Sequence, residues 1–84
     1  MKLDAAEFFP THVLKDKNIE ISIWRVHPEN PPTFSARVAR IYRADGECKY
    51  SNLFTEDELS RLSRLAADAH AWMSEQRSRN QNND

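Results

Sequence analysis

The chain has one cysteine, one glycine and no long apolar run among its 84 residues, and each shortage excludes a class of protein. Cys48 has no second cysteine with which to form an internal disulfide. Gly46 alone cannot build a glycine-rich loop that cradles phosphates. No segment approaches the roughly 18 apolar residues that span a bilayer. His12, His27 and His70 have no sequence-local partner. We therefore expect no catalytic residues, metal, cofactor, small-molecule substrate or membrane contact.

The length allows one small domain with a marginal core. A chain of this size buries only about 60–65% of the surface that its unfolded form exposes, and such domains often gain stability from a partner chain. Because neither a disulfide nor a metal is expected, we predict a homodimer. The lone thiol and the absence of an apolar signal run near the first residues favour the reducing cytoplasm.

Charge is balanced over the whole chain but not along it. Twelve basic and thirteen acidic residues give a formal net charge of −1, whereas dedicated non-specific nucleic-acid binders are usually basic. Residues 33–53 nevertheless carry four cations against two acids, and residues 55–75 carry five acids against two cations. The sequence thus predicts a locally positive sheet and a locally negative helix.

Apolar and polar residues alternate in several segments, as in half-buried strands. Residues 19–26 give the clearest strand, and 34–43 and 47–53 form a predicted hairpin through Asp45-Gly46, a pair that suits a type I′ turn. Residues 11–14 suggest a short further strand. The proline-rich residues 28–32 predict a loop, since proline cannot donate a ladder hydrogen bond.

A helix is predicted directly after the last strand. Thr55 and Glu58 have the spacing of a capping box, in which each side chain bonds the backbone amide of the other. An apolar stripe then follows at helical spacing, formed by Leu59, Leu62, Ala66, Ala69 and Met73. We predict one α+β domain over residues 1–75, a four-stranded antiparallel sheet followed by one long C-terminal helix, with a disordered polar tail over 76–84.

The hairpin turn decides which side chains share a face of the sheet. A two-residue turn places Arg43 opposite Cys48 and Ile41 opposite Tyr50, and a three-residue turn would reverse the parity of the last strand. With two residues, the helix packs on the face of the three isoleucines at 19, 21 and 23. Trp24 then lies on the opposite face with Arg37, Ile41, Arg43 and Tyr50.

Aromatic and basic residues together suggest two functions, which the sequence leaves open. Stacking one base on an aromatic ring is worth about 1–3 kcal/mol, and arginine binds phosphate strongly. A single-stranded nucleic-acid surface would use Trp24, Arg37, Arg40, Arg43, Lys49 and Tyr50. The alternative is a protein-interaction module that uses the same face.

The helix also suggests a dimer contact. About 20 helical residues span roughly 30 Å, which is long for so small a sheet. Leu65 and Trp72 lie on the flank of the apolar stripe, where they could pack either on the sheet or on a second helix. We favour a helix-to-helix contact through Leu65, Ala69, Trp72 and Met73.

The order of elements resembles a known family. The segment 53–62, Leu-Phe-Thr-Glu-Asp-Glu-Leu-Ser-Arg-Leu, is similar to the sheet-to-helix junction of the transcriptional coactivator family called positive cofactor four. A group of short bacterial proteins of unassigned function shares further short motifs, which here are Ile23-Trp24, Arg40-Ile41-Tyr42, Phe54, Asp57-Glu58-Leu59 and Ala69-His70-Ala71-Trp72. The resemblance implies the fold of that family and of the Whirly proteins, a dimer, and binding of single-stranded DNA or RNA by a regulator of transcription or DNA metabolism.

Overall fold

The protein is described by a computed structural model over residues 9–26 and 32–82, with side chains described as far as Arg79. The strands are β1 (His12–Asp16), β2 (Ile19–Val26), β3 (Thr33–Ala44) and β4 (Glu47–Ser51), and the helix is α1 (Glu56–Asn82). The strands form one antiparallel sheet in the order β1-β2-β3-β4. The predicted fold class is therefore confirmed. Residues 28–31 of the predicted loop lie outside the described residues.

The β3–β4 turn has two residues, as predicted. Asp45 and Gly46 both take positive φ angles, 54° and 77°, which a type I′ turn requires at its two central positions. Arg43 accordingly lies opposite Cys48, and Ile41 lies opposite Tyr50. This register sets which side chains of β3 and β4 face the helix.

The core forms between β2 and the helix. Ile19, Ile21 and Ile23 are almost fully buried, and they pack against Leu65 and Ala69 of α1. The helix lies mainly over β1 and β2 and reaches β3 only weakly. One face of the sheet is thus covered along β1 and β2, and the β3–β4 half of that face is left more exposed.

The buried face of the helix differs from the predicted stripe. Leu59 is 53% exposed and Ala66 is exposed, whereas Leu65 is central to the core. The face that meets the sheet begins at Glu58, which is itself buried. The apolar pattern of the sequence did not reveal which side of the helix faces the sheet, because a carboxylate occupies the first position on that side.

The helix residues assigned to a dimer contact already pack inside the protomer. Leu65 and Ala69 are buried, and Trp72 and Met73 pack against the same cluster. The Trp72 ring stacks on His12 of β1 at 4.4 Å between centroids and meets Phe34 of β3 edge-on at 5.4 Å. The protomer's own sheet thus occupies these side chains, which favours the alternative of packing on the sheet over the predicted helix-to-helix contact.

The helix also continues beyond its predicted end. It runs to Asn82, so residues 76–82 of the expected disordered tail are helical. Nothing in this segment stops a helix, since it contains neither proline nor glycine. An ion pair between Arg79 and Glu75, one turn apart, further supports it.

The start of the helix is tied to the sheet through Glu58. The Thr55 amide donates to the Glu58 carboxylate at 2.9 Å, and the Glu58 amide donates to the Thr55 hydroxyl at 3.1 Å. The predicted capping box is thus confirmed. The Asn18 side-chain amide donates to the other carboxylate oxygen at 2.7 Å. Because Asn18 lies in the β1–β2 turn, this bond joins the helix start to the far end of the sheet.

These contacts predict an acid-dependent stability. The Thr55 backbone bond and then the Asn18 bond lower the pKa of Glu58 from its ordinary value of 4.5. A lowered pKa means that the ionised form stabilises the fold above about pH 4.5, and that this contribution is lost as the pH falls through the folded-state pKa. We expect Glu58→Gln to be less stable than wild type at pH 7, with the difference shrinking in acid.

Urea unfolding at a series of pH values measures this difference. Glu56→Gln is the matched control. It removes a carboxylate from the same helical turn, but Glu56 makes no hydrogen bond with Asn18. A Glu58→Gln difference that stayed constant from pH 7 to pH 3 would contradict the role of the ionised carboxylate.

Candidate nucleic-acid interface

The sheet has one face that no described element covers. Residues directly opposite in neighbouring strands share a face, so the register sorts the side chains into a helix side and the other side. We call the latter the open face. Its main members, of which Ser22 and Ala39 are themselves buried, are Val13, Lys15, Glu20, Ser22, Trp24, Ser35, Arg37, Ala39, Ile41, Arg43, Cys48 and Tyr50.

Each face of the sheet carries three strand cations, and the faces differ in their acids. Among the strand residues of the open face, the cations are Lys15, Arg37 and Arg43, and the acid is Glu20. The other strand acids, Asp16 and Glu47, fall on the helix side by the same parity. The open face is thus positive although the whole chain is not.

Trp24 and Arg37 form the first aromatic–cation pair of this face. The Arg37 guanidinium lies 5.6 Å from the centre of the Trp24 ring, within the range of a cation–π contact. Trp24 is half-buried, and its indole nitrogen is buried with no hydrogen-bond acceptor among the described residues. Because the side chain is only half-buried, part of the ring remains accessible.

Tyr50 and Arg43 are the second aromatic and basic residues of this face, and they lie diagonally across the β3–β4 register at the other end of β3. Tyr50 is 62% exposed, so its ring is the more accessible of the two. Arg43 is exposed and bends over the hairpin, donating to the Gly46 carbonyl at 3.3 Å and lying 3.8 Å from the Cys48 sulfur. These weak contacts leave most of its donors free.

The two pairs are far apart. Trp24 lies opposite Ser35 and Tyr50 lies opposite Ile41, which is a separation of six residues along β3 or roughly 20 Å. The sequence predicted only that these residues share a face, and the register shows that they lie toward its opposite ends. A ligand that engages both pairs must be extended along β3.

Two of the predicted phosphate contacts do not belong to this surface. Arg40 and Lys49 lie on the helix side, because they pair with Ser51 and Tyr42. Arg40 donates to the Leu53 carbonyl at 2.8 Å and lies 3.6 Å from Glu58. Its role is therefore to hold the β4–α1 connection, and Lys49 is half-buried.

One cation of the open face was missed by sequence reasoning. Lys15 lies on β1, whose alternation is short and was recognised only as far as residue 14. It sits directly opposite Glu20, so it partly offsets the single acid of the face. The turn at Lys17-Asn18 was the signal for a longer strand, because β1 runs up to the residue before that turn.

Among the described residues, no group of three His, Cys, Asp or Glu side chains is arranged to hold a metal ion. Within the same residues, no helix is long and apolar enough to cross a membrane.

The fold and the surface together define a class: an α+β domain of the ββββα type whose sheet is covered by a helix on one face. Comparison with protein-family models, with curated proteins and with solved structures found no match to the chain. The open face is therefore the feature of the molecule that indicates a function.

Proposed function

We propose that this domain is a non-catalytic binding module for single-stranded DNA or RNA, which lies along β3 on the open face. The observation that supports it is an aromatic ring at each end of that face, with Arg37 in contact with the half-buried Trp24 and Arg43 on the same face as the exposed Tyr50. Rings stack on any unpaired base, and arginines contact the phosphates between them.

A single strand fits this surface better than a duplex. In a duplex the base faces are stacked on one another, so side chains on a sheet cannot stack on them. The roughly 20 Å between Trp24 and Tyr50 requires a ligand of several nucleotides. We therefore expect a trinucleotide to bind much more weakly than an oligothymidylate of about twelve nucleotides, which is within the usual site sizes of such proteins.

We also infer the kind of process in which such a domain acts. A sheet that binds single strands without reading sequence suits a regulator of transcription or of DNA metabolism. A cytoplasmic location is part of the proposal, because an exposed free thiol such as Cys48 persists in a reducing compartment.

Salt dependence tests the proposal and separates it from a protein-interaction function on the same face. If Lys15, Arg37 and Arg43 each neutralise one phosphate, the logarithm of affinity should fall against that of salt with a slope of roughly −2. Raising salt fourfold should then weaken binding by about 20-fold. Fluorescence anisotropy of a labelled oligothymidylate measures both quantities.

A duplex of equal length serves as the control ligand, and we expect weaker binding to it. Absence of binding to any single strand at low salt and high micromolar protein would overturn the proposal. Binding with no salt dependence would also contradict it, since phosphate contacts require counterion release.

A further inference from the structure

Half of β3 has no neighbour on one side. β4 pairs only with residues 40–44 of the twelve-residue strand β3, so residues 33–39 have a free edge among the described elements. An open recess of about 750 Å³ lies at this notch, and Ala36, Val38, Tyr50 and Asn52 contribute to its lining.

The direction of the backbone groups at this edge follows from the register. The Ile41 amide donates to the Asn18 carbonyl, so the odd-numbered residues of β3 point their backbone groups toward β2. The even-numbered residues Phe34, Ala36 and Val38 therefore point theirs outward. No described residue bonds to these outward amides and carbonyls.

The chain itself prevents β4 from covering the edge. The Leu53 amide donates to the Ser51 hydroxyl at 3.0 Å, and Arg40 binds the Leu53 carbonyl at 2.8 Å. These two bonds draw the chain away from the sheet toward the helix start. The notch is thus fixed by specific side chains of the fold.

We propose that a second copy of this chain pairs with the free edge, β3 against β3, about a two-fold axis at Ala36. This register places Ala36 opposite its equivalent and Phe34 opposite the second copy's Val38. Each of the three outward amides and three outward carbonyls of one copy then meets a complementary group. Six hydrogen bonds form, and both sheets join into one of eight strands.

Side-chain pairing favours this register over its neighbours. On the helix side Phe34 meets Val38, which is 36% exposed in the protomer, and on the open face Ser35 meets Arg37. A shift of the axis to Arg37 would place two arginines directly opposite, which is destabilising. A shift to Ser35 would place Val38 against Pro32, which has no amide to donate.

The other two sheet edges are less suited to self-pairing. β1 and β4 have five residues each, and both carry charged side chains along that length, Lys15 and Asp16 on β1 and Glu47 and Lys49 on β4. Short, charged edges oppose strand addition. The free part of β3 has one charged residue, Arg37, which the proposed register places beside serine.

Disulfide crosslinking tests the register. In a Cys48→Ser background, Ala36→Cys should form a covalent dimer on mild oxidation, because opposed hydrogen-bonded residues lie about 5.5 Å apart between Cα atoms, within disulfide range. Ser35→Cys in the same background is the matched control. Its two copies would lie roughly 8 Å apart, too far to bridge.

Solution mass tests the dimer without nucleic acid, so its outcome is independent of the binding proposal. Light scattering should give twice the 9.8 kDa chain mass for wild type, and half that value for Ala36→Pro. Proline at this position removes an outward amide and no bond to β2. A monomeric wild type at high micromolar concentration, equal crosslinking of Ser35→Cys, or a folded Ala36→Pro that stays dimeric would each overturn the proposal. If Ala36→Pro fails to fold, the crosslinking result decides.

Discussion

Replacing Ile21 by alanine is expected to lower the free energy of unfolding by about 3–4 kcal/mol. Ile21 is 1% exposed and lies at the middle of β2, with Leu14 and Val38 opposite it on either side. Only three large side chains among the described residues are fully buried, Ile19, Ile21 and Ile23, so Ile21 supplies a large share of the core. For a domain of this size, the melting temperature should fall by roughly 15–20 °C.

Urea unfolding followed by far-ultraviolet circular dichroism measures the change, at one fixed protein concentration because a dimer would couple stability to concentration. Val13→Ala is the matched control. It removes a similar apolar volume from the same sheet, but Val13 is 40% exposed on the open face, so the loss should stay below about 1 kcal/mol. Equal losses at the two positions would show that the core does not centre on β2.

The regular part of the fold was predictable because local chemistry and tertiary structure agree there. The alternation through the three isoleucines, the Asp45-Gly46 turn and the capping box at Thr55 each need no distant partner to be recognised. The phase of the helix was not predictable in the same way. Its inner face starts at Glu58, and the carboxylate buried there is explained in part by partners distant in sequence, Asn18, 40 residues earlier, and Arg40.

The candidate site was predictable in its residue types but not in its shape. Parity correctly placed Trp24, Arg37, Arg43 and Tyr50 on one face, because a two-residue turn fixes the register of β3 and β4. The distance between them also depends on how β2 pairs with β3. The sequence between these two strands does not determine that register. A sequence shows which side chains share a face more readily than it shows how far apart they lie.

The open face predicts that two tyrosines of the same hairpin differ sharply in their effect on binding. Tyr50→Ala should weaken binding of an oligothymidylate by about 5- to 150-fold, the equivalent of losing about 1–3 kcal/mol of base stacking. Tyr50 is 62% exposed at one end of the face, so its removal should leave the core intact. Fluorescence anisotropy at low salt measures the affinity, and circular dichroism confirms the fold.

Tyr42→Ala is the control, since Tyr42 lies on the helix side near Arg40. This substitution should change the affinity less than about twofold.

The same comparison applies to cations. Arg43→Gln on the open face should reduce the salt slope by roughly 0.7, whereas Lys49→Gln on the helix side should leave it unchanged. A loss at Tyr42 and Lys49 with none at Tyr50 and Arg43 would place the ligand on the β3–β4 half of the helix side, where the sheet is also exposed. The four variants together therefore identify the binding face independently of absolute affinity.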